Sequence, residues 1–198
     1  MIPEEIEEIK NKAFNEARTF RRNLIKQNNR LNQRMELFDI IREELQKKYP
    51  TIMGYLKNWQ DTAMSEGAHT LKMIELVVRG GKGNFEDISK EVCLGGEVEI
   101  TGDLIREYIE VVAWNQECYN YKYYNEREGK VLYRGIKHEE SRNKPLQSFT
   151  SKEKIANKFG YHKRECKVTM DDIRFIPELL PNRHFYSERE FIISKEEA

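Results

Sequence analysis

Cysteine is scarce in this chain: Cys93, Cys118 and Cys166 are the only three in 198 residues, with no CxxC pair and no metal-type histidine spacing beside them. An odd, scattered set of this kind excludes a disulfide framework and a zinc-ligand cluster, and reads as reduced, structural thiol in a reducing compartment. Long apolar runs are missing as well, and none approaches the roughly 18 residues that a membrane-spanning helix needs. Nor does charge of one sign dominate. Lys plus Arg and Asp plus Glu number 34 each, so the whole molecule exerts no long-range pull on nucleic acid, and such binding is not favoured outside a local patch. The opening MIPEEIEEIK is acidic from Glu4, where a secretory signal has a basic start and an apolar run, so the expected place of action is the cytoplasm of the producing or a host cell.

What the chain has in quantity is charge, at 34% of residues against 38% hydrophobic, which suits much solvated helix around one genuine core. Pro3 followed by Glu4, Glu5, Glu7 and Glu8 is a good helix start, because proline suits the first turn and acids there complement the dipole. Ile2, Ile6, Ile9, Ala13, Ala17, Phe20 and Leu24 then recur at three and four residues, the signature of one helix face. Leu37, Phe38, Ile41 and Leu45 form a second run that ends at Tyr49-Pro50; Ile52, Tyr55, Leu56, Trp59 and Ala63 form a third; Leu71, Ile74, Val77 and Val78 carry the pattern to Gly80-Gly81. The first 80 or so residues therefore read as three or four helices. A further amphipathic helix opens at Thr101-Gly102-Asp103 and runs through Trp114 to the tyrosines at 119, 121, 123 and 124, which at a helix end pack a core edge more often than they stack on bases.

Two features of this half carry competing readings. Arg18, Arg22, Lys26, Arg30 and Arg34 are spaced by four, with Arg21 beside them and no acid between positions 18 and 34. On a helix this is a winding basic stripe, either a docking face for an acidic partner or a solvated surface. Gly80-Gly81-Lys82-Gly83 lacks the Ser/Thr of a phosphate loop and, with Gly95-Gly96, reads as a flexible connector.

After the polar turn at 125 to 130 the character changes to short strands, expected at Val131–Tyr133, Cys166–Met170, Arg174–Ile176 and Glu190–Ile193. Arg134 ends the first of these and precedes Gly135. A guanidinium there suits a phosphate or ribose oxygen, and the glycine would let a ligand approach the backbone. Leu146 to Ser151 places Ser148, Thr150 and Ser151 at a strand-to-helix junction, where hydroxyls also serve as ordinary caps. Glu188 and Glu190 precede Phe191-Ile192-Ile193. If residues 188 to 193 are extended, both carboxylates point to one face while Arg189 points away, and two carboxylates in one site raise one pKa.

Arginine, hydroxyl cluster and Glu-x-Glu, in this order with about 14 and 40 residues between them, resemble the Arg, Ser-Thr-Ser, Glu-x-Glu signature of the arginine-type mono-ADP-ribosyltransferases. The resemblance covers about residues 130 to 194, and the chain reads Ser-Phe-Thr-Ser where the common form is Ser-Thr-Ser. It implies an α+β fold: a helical N-terminal region over 1–84, then a catalytic core over 85–198 of two small packed β-sheets with flanking helices. It also implies that NAD is bound as a substrate by Arg134, Gly135, Ser148, Phe149, Thr150, Ser151 and Glu190, without a metal. Glu190 would stabilise the ribosyl cation, and Glu188 would orient and help deprotonate an acceptor, arginine of a protein target. Ser148 is the first choice for the supporting hydroxyl, with Ser151 the other candidate. The turn at 182 to 187 would recognise the target through Phe185 or Tyr186. An effector, toxin or phage-type modifier is the biological setting so implied. The competing readings are a helical interaction module with a degenerate, inactive transferase-like fold, and, among enzymes, an NAD glycohydrolase or a nucleic-acid modifier.

Overall fold

The computed structural model describes residues 1–80, 99–138, 144–196 and 198. Cys93, the glycine connector beyond Gly80 and the expected boundary at 84/85 lie outside the described residues. Among the described residues, five long helices come first: α1 (Pro3–Gln27), α2 (Met35–Lys48), α3 (Pro50–Asp61), α4 (Glu66–Val78) and α5 (Gly102–Lys122). Their boundaries follow local chemistry. Pro3 and Pro50 occupy first turns, and the hydroxyls of Ser65 and Thr101 accept from the backbone N–H groups of Ala68 and Leu104, each satisfying a donor the helix leaves open.

Helix α5 is the axis of the molecule. Every residue from Val111 to Tyr119 is buried, so its polar side chains need partners there. Asn115 Oδ1 accepts from the Ile176 N–H at 3.0 Å, Gln116 Nε2 donates to the Ile173 carbonyl at 2.9 Å, and Glu117 meets Arg21 of α1. Ala13 and Ala17, both buried, line the same side of α1 as Arg21, and such small side chains let two helix backbones come close.

The sheet is built from β1 (Lys130–Ile136), β2 (Gln147–Thr150), β3 (His162–Val168), β4 (Ile173–Phe175) and β5 (Glu190–Ile193), with a short helix α6 (Glu153–Phe159) between β2 and β3. The expectation of two packed sheets is not borne out among the described residues. The described strands form a single five-stranded sheet in the order β3-β1-β2-β5-β4, with every pairing antiparallel. The reason lies in β2, four residues that the sequence reading treats only as a junction. It pairs with β1 at Tyr133↔Thr150 and with β5 from Gln147↔Ile193 to Thr150↔Glu190, and so joins β1 and β5 into one sheet. Buried residues of the helices and of the sheet form one continuous core, with Tyr119 edge-on to Phe191 and Tyr108 edge-on to Phe175.

The basic stripe is also revised. Helix α1 stops at Gln27, Arg30 lies in a 3-10 turn (Asn29–Leu31), and Arg34 precedes α2, so only Arg18, Arg22 and Lys26 share a helix face. Arg21 is not part of an exposed stripe, because it is buried on Glu117.

Candidate active site

A cavity of about 280 Å³ opens between β1, β2, α6 and the start of β5, and is lined by Arg134, Ser148, Glu188 and Glu190 among others. Three segments far apart in the chain thus contribute to one site. Its apolar side is formed by Tyr133, Phe149, Ile155, Ala156 and Phe159.

Strand pairing explains how Ser148 reaches Glu190. Thr150 is directly opposite Glu190 in the β2/β5 register, and Ser148 is two residues away on the same strand, so it is the diagonal neighbour on the shared face. Ser148 Oγ donates to Glu190 Oε1 at 2.5 Å. Thr150 Oγ1 donates to the Glu188 carbonyl at 2.7 Å and accepts from the Lys152 N–H at 3.1 Å, fastening the segment before β5 to β2. Arg134 Nη1 donates to the Ser148 carbonyl at 2.8 Å. Of the two candidate serines, Ser148 bonds the carboxylate, whereas Ser151 is not among the residues lining the cavity.

Glu188 and Glu190 meet the cavity by a route other than strand alternation. Glu188 ends a 3-10 turn (Arg183–Glu188), and Arg189 is left-handed at φ 51°, ψ 46°. The extended run expected from 188 therefore begins only at Glu190. A non-glycine residue with positive φ is uncommon, and here it separates the 3-10 turn that ends at Glu188 from the strand that begins at Glu190. The Arg189 guanidinium lies over the Tyr186 ring at 4.4 Å, with a hydrogen bond to its hydroxyl, and stands 3.6 Å from the buried Glu178 carboxylate.

That arrangement bears on the expected recognition turn. Tyr186 is packed between Arg183 and Arg189 with its hydroxyl 3.3 Å from Met35 Sδ, and Phe185 packs edge-on with His184. Neither is among the residues lining the cavity. Gly135, which lines the cavity, also has a packing role. A Cβ at that position would overlap the Ala156 carbonyl oxygen, and one at Gly160 would overlap the Ile136 backbone. Both glycines thus allow α6 to sit directly on β1, which brings Ala156 and Phe159 to the cavity wall.

Burial pushes the Glu190 carboxyl above its ordinary range, opposed by the hydrogen bonds from Ser148 and Trp59, raised again by the Glu188 charge and opposed by Arg134. Trp59 is the site residue that sequence reasoning missed. It belongs to α3, where its spacing marks it only as a face residue, yet its Nε1–H points at Glu190 Oε1 (3.0 Å) and Ser148 Oγ (3.1 Å). The available signal was chemical: a buried indole N–H requires an acceptor.

Among the described residues, no group of three or more His, Cys, Asp or Glu side chains could hold a metal ion, and no helix is long and apolar enough to cross a membrane. No family model, curated protein or solved structure matches the chain.

Proposed function

We propose that this protein is an NAD-dependent mono-ADP-ribosyltransferase that moves ADP-ribose to an acceptor, most plainly arginine of a target protein, and releases nicotinamide. The observation that supports this reading above others is the convergence of Arg134, Ser148, Glu188 and Glu190 on one cavity. The chemistry of the lining suits the substrate. Phe149, Ile155, Ala156 and Phe159 offer an apolar flank for a nicotinamide ring, and Arg134 supplies a guanidinium for phosphate or ribose oxygens. A cavity of about 280 Å³ is at the small end of ligand pockets, which run to about 1,000 Å³. It would take one end of a dinucleotide and leave the other across the surface.

In the reaction the bond between the ribose C1′ and the nicotinamide nitrogen breaks, its electron pair leaves with nicotinamide, and positive charge develops on the ribose as in glycoside cleavage. Glu190, held by Ser148, is aimed at that charge and at the ribose 2′-hydroxyl. Glu188 orients the acceptor nitrogen and takes up its proton as the new bond to C1′ forms.

The test is incubation of purified protein with labelled NAD and a whole lysate, scored for nicotinamide release and for labelled acceptor. Glu190→Ala is expected to abolish both while melting as a folded protein, and labelling that survives this substitution defeats the assignment. Free guanidino compounds as acceptors separate arginine transfer from NAD hydrolysis and from nucleic-acid modification.

A further inference from the structure

Among the described residues, Trp59 is the one hydrogen-bonding group on Glu190 that comes from the helices and not from the sheet. The residue is 4% exposed, near the C-terminal end of α3. The indole N–H can only donate, and it is shared between Ser148 Oγ and Glu190 Oε1 at 3.1 and 3.0 Å. Ser148 donates to that same Oε1. Two donors therefore converge on one carboxylate oxygen, while Oε2 has no hydrogen-bond partner among the described residues.

The ring is itself held in place. The Lys72 ammonium lies 5.4 Å from its centroid and reaches the Ala63 carbonyl at 3.5 Å. Gln60, the next residue, exchanges two hydrogen bonds with the Asn182 backbone, at 2.6 and 3.1 Å. The end of α3 is thus fastened to the start of the turn that leads into Glu188.

The terminal torsion of a glutamate is broad and nearly two-fold, so an unheld carboxylate exchanges its oxygens. Two donors on Oε1 remove that equivalence. We infer that Trp59 is a positioning residue, which with Ser148 fixes Oε1 so that Oε2 is the oxygen presented to the ribose of the substrate. The assignment of the ribose rests on the transferase reading; the assignment of the hydrogen bond does not. A charge-assisted bond of this kind also favours the ionised carboxylate against the burial that opposes it.

The experiment begins with the unaltered protein. The Trp59 indole ¹H–¹⁵N resonance is followed against pH together with the side-chain ¹³C resonance of Glu190, with Trp114, the other tryptophan, as internal control. The Trp59 signal is expected to titrate with the Glu190 midpoint and to lose that titration in Glu190→Gln. Trp59→Phe, which keeps an aromatic ring and removes the donor, is expected to lower kcat for nicotinamide release about tenfold. KM is expected to stay unchanged, and the acid limb of the rate profile to move to higher pH. An indole resonance indifferent to Glu190 overturns the inference, as does a folded Trp59→Phe protein with wild-type kcat and acid limb. Should the unaltered protein release no nicotinamide, the transferase reading fails while the indole titration still decides the hydrogen bond.

Discussion

Ser148 and Glu190 are diagonal neighbours on adjacent antiparallel strands, and the serine hydroxyl donates to the glutamate at 2.5 Å. The bond joins the first residue of the hydroxyl cluster to the end of the Glu-x-Glu motif, 42 residues later. It makes the ionisation of Glu190 a property of two strands together, and several measurable consequences depend on it.

The first concerns the pH dependence of activity. A carboxylate that must be charged to stabilise a ribosyl cation gives an acid limb at its own midpoint. For Glu190 that limb is expected above the ordinary glutamate value of about 4.3, because burial raises it. Ser148→Ala removes a donor that favours the charged form, so the limb should move further up and nicotinamide release at neutral pH should fall about ten- to a hundredfold. A rate profile measured from pH 4 to 9 on both proteins checks this, and an unmoved limb would show that the bond does not act on ionisation.

The same group predicts a stability effect of opposite sense. In the folded chain Glu190 holds its proton to higher pH than in the unfolded chain. Between the unfolded and folded midpoints the native state therefore binds more protons, and stability falls as pH rises. Above the folded midpoint the charged carboxylate costs the fold about 1.4 kcal/mol for each unit of displacement. Glu190→Gln, which retains an acceptor for Ser148 and Trp59, should raise the melting temperature at pH 7 to 8 by about 2–4 °C per kcal/mol. The gain should vanish at a pH below the ordinary carboxylate range, where both proteins carry a neutral side chain, and calorimetry across that range checks the sign.

The helices, and the convergence of Arg134, Ser148, Glu188 and Glu190 on one cavity, were legible in the sequence, because both leave a mark in local pattern. Apolar spacing located α1 to α5, Pro3, Pro50 and Thr101 marked three of their starts, and the order of Arg134, Ser148 and Glu190 marked residues that meet. What was not legible depends on pairing and on side-chain direction. Strand β2 is too short to show alternation and is defined by its neighbours, so the single sheet could not be read from it. The left-handed Arg189 has no requirement that a sequence displays, since its conformation is held by Tyr186 and Glu178 at a distance. Trp59 lies 131 residues from Glu190, and no local rule connects them.

Gly135 supplies a prediction that separates packing from ligand contact. A methyl group at this position would overlap the Ala156 carbonyl oxygen, which is backbone and cannot swing aside as a flexible side chain would. Gly135→Ala should therefore displace α6 from β1 and destabilise the fold by about 1–3 kcal/mol. Because α6 brings Ile155, Ala156 and Phe159 to the cavity, affinity for the substrate should fall with it. Urea denaturation and NAD titration on the same protein should change together, whereas weakened binding with unchanged stability would restore a direct ligand role for this glycine.

Arg21 decides how the basic segment can be probed at all. Its guanidinium donates to Glu117 through Nη2 at 2.6 Å and through Nε at 3.0 and 3.1 Å, and lies over the Tyr121 ring at 4.0 Å. Both partners are buried, so removing one charge strands the other in a medium that solvates it poorly. Arg21→Met should cost about 3–5 kcal/mol, whereas the paired Arg21→Met, Glu117→Leu replacement should recover most of that loss. Arg22→Glu, at an exposed neighbouring position, should leave stability within about 0.5 kcal/mol. Denaturation curves for the three proteins test this pattern, and equal losses from Arg21→Met and Arg22→Glu would contradict it. Charge reversal aimed at an acidic partner is therefore informative at Arg22, Lys26, Arg30 and Arg34, while at Arg21 it would report on the α1 to α5 contact instead.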